Sequence, residues 1–536
     1  MVGAPRGDEA ASRAIVDDAS AQSGAMSLRW RMLEVALITV IFTAEGAWPV
    51  PDVNESHYLV KAKHFWDPTF AAGDFFLESA DGHVVFYALC GWPTLWMSLS
   101  AYAWCGRIIT WIALACAWQS LSSVVVTRRF LAVLSAALFI VLQRNCSMAG
   151  EWVVGGFEAK GIAYALVWFA LAAMVRGKWM AAWILVGLAT SMHPLVGGWT
   201  AIATFVAWLR WSRASVSDRY DWRAPAIAGL LALPGLIPVL TLDQRVDPQI
   251  IAEAARIYVY ERLPHHLDPH YLIEKFVLRH VPLVAVWFLL ARLGRQRGDK
   301  LGPVTDVANV AFLAAVVGLY IGYVGGARSP LAAVLLRFYW FRLTDVMLPL
   351  GVALYATAQL VDTWRRRPLA AICLLSAVLV VIAMNATAHL RDRLSVSVPR
   401  GNGIVAYADW IAACRWAAAN TPPNAIFVTP RRAQSFKWHA GRGEVVNRKH
   451  VPQSLEAIVE WWARLCDLDD GPALMPHERD TMRHEWRKFL KNDDKEDVRK
   501  LAQRYRASFV IIDSNVHVAG KLVYQNNSYL ILRIEP

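Results

Sequence analysis

Long apolar runs divided by short basic loops fill the chain up to about residue 390, and short mixed segments separated by turn residues take over after His389. A helix needs roughly 17 to 25 apolar residues to cross a bilayer, and about eleven runs meet that measure. They lie near 31–49, 106–126, 130–146, 160–176, 178–192, 195–210, 225–241, 277–293, 305–325, 335–361 and 368–389. If these runs alternate in direction, the clusters Arg29/Arg31, Arg128/Arg129, Arg176/Lys178, Arg210/Arg213, Arg292/Arg295/Arg297 and Arg365/Arg366/Arg367 all fall on one face. Basic loops stay in the cytosol, so that face is cytosolic. Val84–Tyr102 is apolar and long enough to span, yet counting it as a crossing puts the later clusters on the wrong side. Gly91-Trp92-Pro93 interrupts it, and proline removes a helix donor, so it is expected to lie in the interface or re-enter from the external face.

The opposite face then collects the loop 50–105, the loop 147–159, the turn at His193-Pro194, the loop 242–276 and everything after about residue 390. Residues 391–536 read as a second domain. Asp409–Asn420 has a helical pattern and passes through Thr421-Pro-Pro-Asn into a strand at Ala425–Thr429. Leu455–Leu465 is amphipathic, Asp497–Tyr505 precedes a strand at Ser508–Asp513, and Lys521–Tyr524 pairs with Tyr529–Ile534 across Gln525–Ser528. The fold class expected is mainly α: a polytopic transmembrane helical bundle over 29–390, with a C-terminal extramembrane α/β domain over 391–536. Residues 1–28 are polar and are expected to form a disordered cytosolic tail.

Composition agrees with the pattern. Of 536 residues, 56% are hydrophobic, 18% are charged and 25 are Trp, which excludes an ordinary soluble domain. The net charge of +12 lies mostly in the inter-helix clusters, so it marks topology rather than a nucleic-acid partner. The seven Cys, mostly inside apolar runs and without CxxC spacing, read as small core residues.

Chemistry therefore has to be sought on the external face. Carboxylates beside a membrane are costly unless they have a task, and Pro51–Tyr58 places Asp52 and Glu55 just beyond the first run. A carboxylate there can take a proton from an acceptor hydroxyl or hold a divalent cation. Asp52 also suits a helix N-cap with Glu55 completing a capping box. The next external loop supplies Glu151, Glu158 and Lys160. Cationic or imidazole partners for a phosphate are His57, Lys160, His193, Arg256, Arg262, His265, His266, Arg337 and Arg342. Arg342 and Asp345 can instead pair with each other. Arg431, Arg432, Lys437, His439 and Arg442 follow the first strand of the second domain, where an acceptor site or a solvated basic loop is expected.

An Asp-x-x-Glu pair after a first span, an acidic residue before a later span, many spans and an external α/β domain resemble the GT-C superfamily of integral-membrane glycosyltransferases. The stretches Glu55-Ser-His-Tyr-Leu through Gly73-Asp-Phe-Phe, Glu158-Ala-Lys-Gly, Met192-His-Pro-Leu and Phe436-Lys-Trp resemble a bacterial branch of it. The resemblance implies transfer of a sugar from a polyprenyl-phosphate donor to a lipid, glycan or protein acceptor, with Asp52 or Glu55 catalytic and Glu158 supporting. It implies a multi-pass protein of the inner membrane with a cytosolic N-terminus and a periplasmic C-terminal domain. The expected partners are the lipid-linked donor, the acceptor and membrane lipids. A divalent cation such as Mg or Mn is left open as cofactor. A transporter or flippase, or a polymerase or ligase of lipid-linked saccharide, is the alternative.

Overall fold

The computed structural model describes residues 27–125, 128–212, 220–295, 301–326, 328–400, 404, 406–468, 503–515 and 520–534. The expected tail lies outside them except for its last two residues, and Leu28 already belongs to the first helix. Most of the Asp497–Tyr505 segment lies outside them too.

Each expected apolar run carries a helix. The main ones are α1 (Leu28–Gly46), α2 (Glu55–Trp66), α3 (Leu99–Val125), α4 (Leu131–Cys146), α5 (Ala159–Val175), α6 (Trp179–Met192), α7 (Pro194–Trp211), α8 (Arg223–Thr241), α9 (Val281–Arg295), α10 (Gly302–Gly325), α11 (Thr344–Arg366) and α12 (Pro368–Ser395). Among the described residues, 6 are long and apolar enough to cross a membrane: α3, α8, the run Pro269–Gly294 that includes most of α9, α10, α11 and α12. The helices α4, α5 and α6 are apolar but shorter; tight turns at Gly177 and His193 end α5 and α6 early.

Two irregular segments matter for the site. Val84–Tyr102 is broken into a helix over Val84–Cys90, a 3-10 turn over Trp92–Leu95 and the start of α3, as Gly91-Trp92-Pro93 leads one to expect. A Cβ on Gly91 would come 2.8 Å from the Ala62 carbonyl, so only glycine lets this break press against α2. The run expected at 335–361 is divided as well. A short helix Pro330–Leu336 ends in a turn with Tyr339 at φ +57°, and α11 begins only at Thr344. Arg337 and Arg342 therefore sit in a turn rather than on a spanning helix.

The bundle core is built from apolar and aromatic side chains, with Trp111, Trp118, Trp168 and Trp287 buried in it. In the α6–α8 pairing, small residues let backbones meet. A Cβ at Gly187 would stand 2.5 Å from the Ala228 carbonyl, and one at Gly235 2.2 Å from the Ser191 carbonyl. Gly187→Leu is therefore expected to cost about 1–3 kcal/mol by overpacking, read as a lower unfolding temperature in detergent. An unchanged midpoint would mean that α6 and α8 are not held this closely.

The C-terminal region holds a sheet ordered β2-β1-β3-β5-β4. Its strands are β1 (Ile426–Val428), β2 (Gly443–Glu444), β3 (Phe509–Asp513), β4 (Lys521–Gln525) and β5 (Tyr529–Arg533). The strand β1 runs parallel to β2 and β3, and β5 is antiparallel to β3 and β4. Side chains alternate across a strand, and β3 uses both faces. Phe509 and Ile511 pack with Trp410 and Phe436 on the side of α13 (Tyr407–Asn420). Val510 and Ile512 pack with Trp461 and Leu465 of α14 (Leu455–Leu468). The second cluster also takes in Ala254 and Ile257 from the loop after α8, so the sheet is seated on the bundle.

A buried ionic knot fixes that seat. Asp74 Oδ2 accepts from the Glu444 N–H at 2.9 Å and from Lys437 Nζ at 3.2 Å, and Lys437 Nζ is 2.5 Å from Glu444 Oε1. Thr429 Oγ1 donates to Glu444 Oε2 at 2.6 Å. Lys437 was expected in a solvated or acceptor-binding loop. It is instead a buried structural cation, held charged by the facing Asp74 and Glu444 despite the cost of burial. Arg442 likewise closes local backbone carbonyls, donating to Ala418 and Thr421 at 2.6 and 2.8 Å.

Candidate active site

The loops expected on the external face meet at one end of the bundle. Asn54 donates to Glu158 Oε2 at 2.8 Å, joining the first loop to the second. Asp345, at the start of α11, accepts from the N–H groups of Met148, Ala149 and Glu151 at 2.8, 2.9 and 3.2 Å. His266 Nδ1 contacts the Ala149 carbonyl. Asp345 is thus occupied by backbone donors, and the alternative Arg342–Asp345 pair does not form. Arg342 Nε lies 3.2 Å from Glu151 Oε2 instead.

Glu55 is wholly buried and filled. Its Oε1 accepts from Arg107 Nε at 2.7 Å and from the Phe157 N–H at 2.8 Å. Its Oε2 accepts from Arg107 Nη2 at 2.6 Å and from the Asp52 N–H at 2.8 Å. Arg107 also donates to the Trp48 carbonyl at 2.6 Å. A carboxylate with both oxygens doubly engaged has little capacity left for a substrate proton. The capping box expected here is half formed. Glu55 reaches back to the Asp52 N–H, while Asp52 Oδ1 takes the Val53 N–H at 2.8 Å and α2 begins at Glu55 itself.

Asp52 is buried but has one partner open to solvent. Arg400 Nη2 donates to Oδ1 at 3.0 Å and Oδ2 at 2.9 Å, and the Arg400 side chain is 37% exposed. Arg400 also lies over the Trp48 ring at 4.1 Å. Two residues on, Asn54 holds Glu158, and Lys160 lies 3.6 Å from Glu158 Oε1 and 3.7 Å from Glu151 Oε1. Lys160 Nζ rests 3.5 Å above the Trp152 ring. Arg342 Nη1 approaches His193 Nε2 at 3.4 Å.

The C-terminal region closes this arrangement. Lys449 Nζ donates to Asn54 Oδ1 at 2.7 Å, and Arg262 Nη2 donates to the Lys449 carbonyl at 3.3 Å. Burial, with Arg262 beside it, lowers Lys449 to about 7. Burial raises Glu158 against the pull of Lys160. His193 is pushed well down by burial, with His83 and Arg342 close by. His57 and His266 are pushed down by burial, and His265 falls to about 4 for the same reason with Arg262 near. These histidines, expected to bind phosphate, stand as neutral imidazoles. The positive charge comes from Lys160, Arg342, Arg262, Arg400 and Lys449.

Other expected partners lie elsewhere. Arg256 is taken up by Glu253 at 2.7 Å and Glu261 at 3.2 Å. Arg337 lies over the Phe338 ring, and His57 packs against Phe76 with ring centroids 4.6 Å apart. The residues that sequence reading missed are Asn54, Arg107, Arg400 and Lys449. Arg107 carried a signal, since a charge inside an apolar run needs a partner. Lys449 lies in the basic run Arg448-Lys449-His450, which reads as solvated without the fold.

The residues present do not fit a divalent cation. Among the described residues no group of at least 3 His, Cys, Asp or Glu side chains is placed to share one. Asp52 is met by Arg400, Glu151 by Arg342, and Glu158 by Asn54 and Lys160.

A domain of unknown function, DUF6798, matches residues 408–468. No curated protein matches the chain. Among solved structures, the oligosaccharyltransferase of Archaeoglobus fulgidus complexed with Zn and sulfate is similar at 12% identity, over 90% of this chain and 68% of that one, with a TM-score of 0.47. The archaeal oligosaccharyltransferase AglB of the same organism, complexed with an inhibitory peptide and a dolichol-phosphate, is similar at 11% identity, over 90% and 69%, with a TM-score of 0.44. ArnT from Cupriavidus metallidurans bound to undecaprenyl phosphate is similar at 12% identity, over 95% and 98%, with a TM-score of 0.47.

Proposed function

We propose that this chain is an integral-membrane glycosyltransferase of GT-C type. It moves a sugar from a polyprenyl-phosphate donor to an acceptor hydroxyl or amide at the periplasmic face, where its C-terminal domain also lies. The observation that carries the reading is one buried carboxylate with a solvent-open partner, Asp52, two residues before Asn54, whose bonds to Glu158 and Lys449 lead on to the cations Lys160, Arg342 and Arg262. Positioned cations stabilise the charge that develops on a departing phosphate. A positioned carboxylate takes the acceptor proton.

In this reading Arg400 first swings off Asp52, which its exposure permits. The acceptor proton passes to Asp52 as the acceptor oxygen or nitrogen bonds to the sugar C1. The C1–O bond to phosphate breaks, and its electron pair leaves with the phosphate toward the cations. Glu55, filled by Arg107 and two backbone N–H groups, positions the Asp52 backbone rather than reacting. Glu158 orients Asn54.

The test is purified protein in nanodiscs, given a panel of polyprenyl-phosphate and polyprenyl-diphosphate sugars with lipid, glycan and peptide acceptors. One donor should be consumed with matching gain of product on an acceptor. Donor-dependent flipping in vesicles with no transfer from any donor would replace the transferase by a transporter.

A further inference from the structure

The charges around Asp52 deepen that reading. Three carboxylates, Asp52, Glu151 and Glu158, stand with four basic side chains, Arg400, Arg342, Lys160 and Lys449. Asn54 ties two of these groups into one unit, donating to Glu158 at 2.8 Å and accepting from Lys449 at 2.7 Å. Lys160 is fixed between Glu151 and Glu158, with the Trp152 ring beneath it. A divalent cation prefers several uncommitted oxygen ligands, and here the carboxylates are already met by organic cations. An anion faces the opposite situation, because a site with surplus positive charge and few charges to displace favours it.

We propose that Lys449, delivered by the C-terminal region and bonded to Asn54, acts with Lys160 in place of a divalent cation beside Glu158, and that these ammonium groups receive the lipid phosphate without a metal. The inference rests on the glycosyltransferase reading above. It also gives the C-terminal region a direct part in donor binding, since without its seat on the bundle through Asp74, Lys437 and Glu444 the site lacks Lys449.

Lys449 is the member of the set suited to change its charge. Burial lowers it most, the facing Arg262 and Lys160 lower it further, and Glu158 and Asp52 raise it. His57, His265 and His450 are also close enough to feel it. Near its value of about 7, an arriving phosphate raises it again, so binding above that pH takes up a proton.

The experiment uses the full chain in nanodiscs and farnesyl phosphate as probe, followed by tryptophan fluorescence and calorimetry, once with EDTA and once with Mn²⁺. Affinity should be the same in both, the Mn²⁺ paramagnetic signal should remain that of the free ion, and binding above pH 7 should consume protons. Lys449→Met should weaken binding by about tenfold or more, as loss of a charge-assisted hydrogen bond does, with Lys449→Arg recovering part of it. Its unfolding temperature separates a lost cation from a lost fold. Affinity that collapses in EDTA, or Mn²⁺ that binds stoichiometrically and is released by Asp52→Asn, overturns the inference. So does a folded Lys449→Met that binds as tightly as wild type, which leaves the glycosyltransferase reading standing. Wild type that binds no farnesyl phosphate in either condition overturns both.

Discussion

Asp52→Asn is expected to lower sugar transfer by about 10²–10⁴-fold, the range that a positioned general base contributes. The exchange keeps the volume of the side chain and its ability to accept the Val53 N–H, so the turn before α2 is held. What it removes is the capacity to take a proton. It also weakens the contact with Arg400, whose fork spans both oxygens of Asp52. That second change frees a cation and does not expose a buried charge, because Arg400 is already partly open to solvent. The loss should therefore fall on kcat, with little change in the affinity for the donor phosphate, which the proposed function assigns to Lys160, Lys449, Arg342 and Arg262. Steady-state kinetics with the donor found by the panel, beside direct farnesyl phosphate binding, separates the two. Transfer at the wild-type rate would remove Asp52 from the chemistry. A large fall in binding with an unchanged rate of the bound complex would make it a donor-binding group instead.

The sequence made some of this legible because some rules act locally. Alternation and turn residues located β1, β3 and the β4–β5 hairpin, since a strand that packs on both faces is apolar throughout and the Gln525–Ser528 turn is polar. Gly91-Trp92-Pro93 announced the break before α3 because proline and glycine act on their own backbone. Asp52, Glu158, Lys160 and Arg342 could be proposed together because alternating spans put their loops on one face; the structure links Glu158, Lys160 and Arg342 through Glu151, while Asp52 is met by Arg400.

Partner choice was not legible, because it depends on distances that only the fold sets. Glu55 and Asp52 look equivalent in Asp52-Val-Asn-Glu55, yet Arg107, 52 positions later, fills Glu55, and Arg400, 348 positions from Asp52, takes the other. Asp345 could have paired with Arg342 at helical spacing, but Arg342 lies in the turn before α11 and the loop 148–151 supplies three N–H donors to Asp345. Lys437 and Lys449 belong to runs that look solvated, yet one fastens the sheet to the bundle and the other is buried against Asn54.

Breaking the Glu55–Arg107 pair gives the second large effect, this time on stability. Arg107→Met leaves a fully buried carboxylate without its cation, and removing one partner of a buried pair typically costs about 3–5 kcal/mol. The penalty here is sharpened because Glu55 cannot turn toward water. Its oxygens also hold the Asp52 and Phe157 N–H groups, so moving it would leave both donors unmet. Arg107→Met should thus unfold at clearly lower temperature in detergent than wild type. Combining it with Glu55→Gln removes the uncompensated charge while the amide oxygen keeps one acceptor for the backbone, so the double variant should regain much of the loss. A coupling of that sign in the double-mutant cycle is the mark of a charge pair, whereas simple additivity would mean that Arg107 acts only through packing against the Trp104 ring, 4.6 Å away. Transfer should stay impaired even in the recovered double variant, because the turn that aims Asp52 is fastened through Glu55. A double variant that regains both stability and full rate would show that the aim of Asp52 does not depend on this pair.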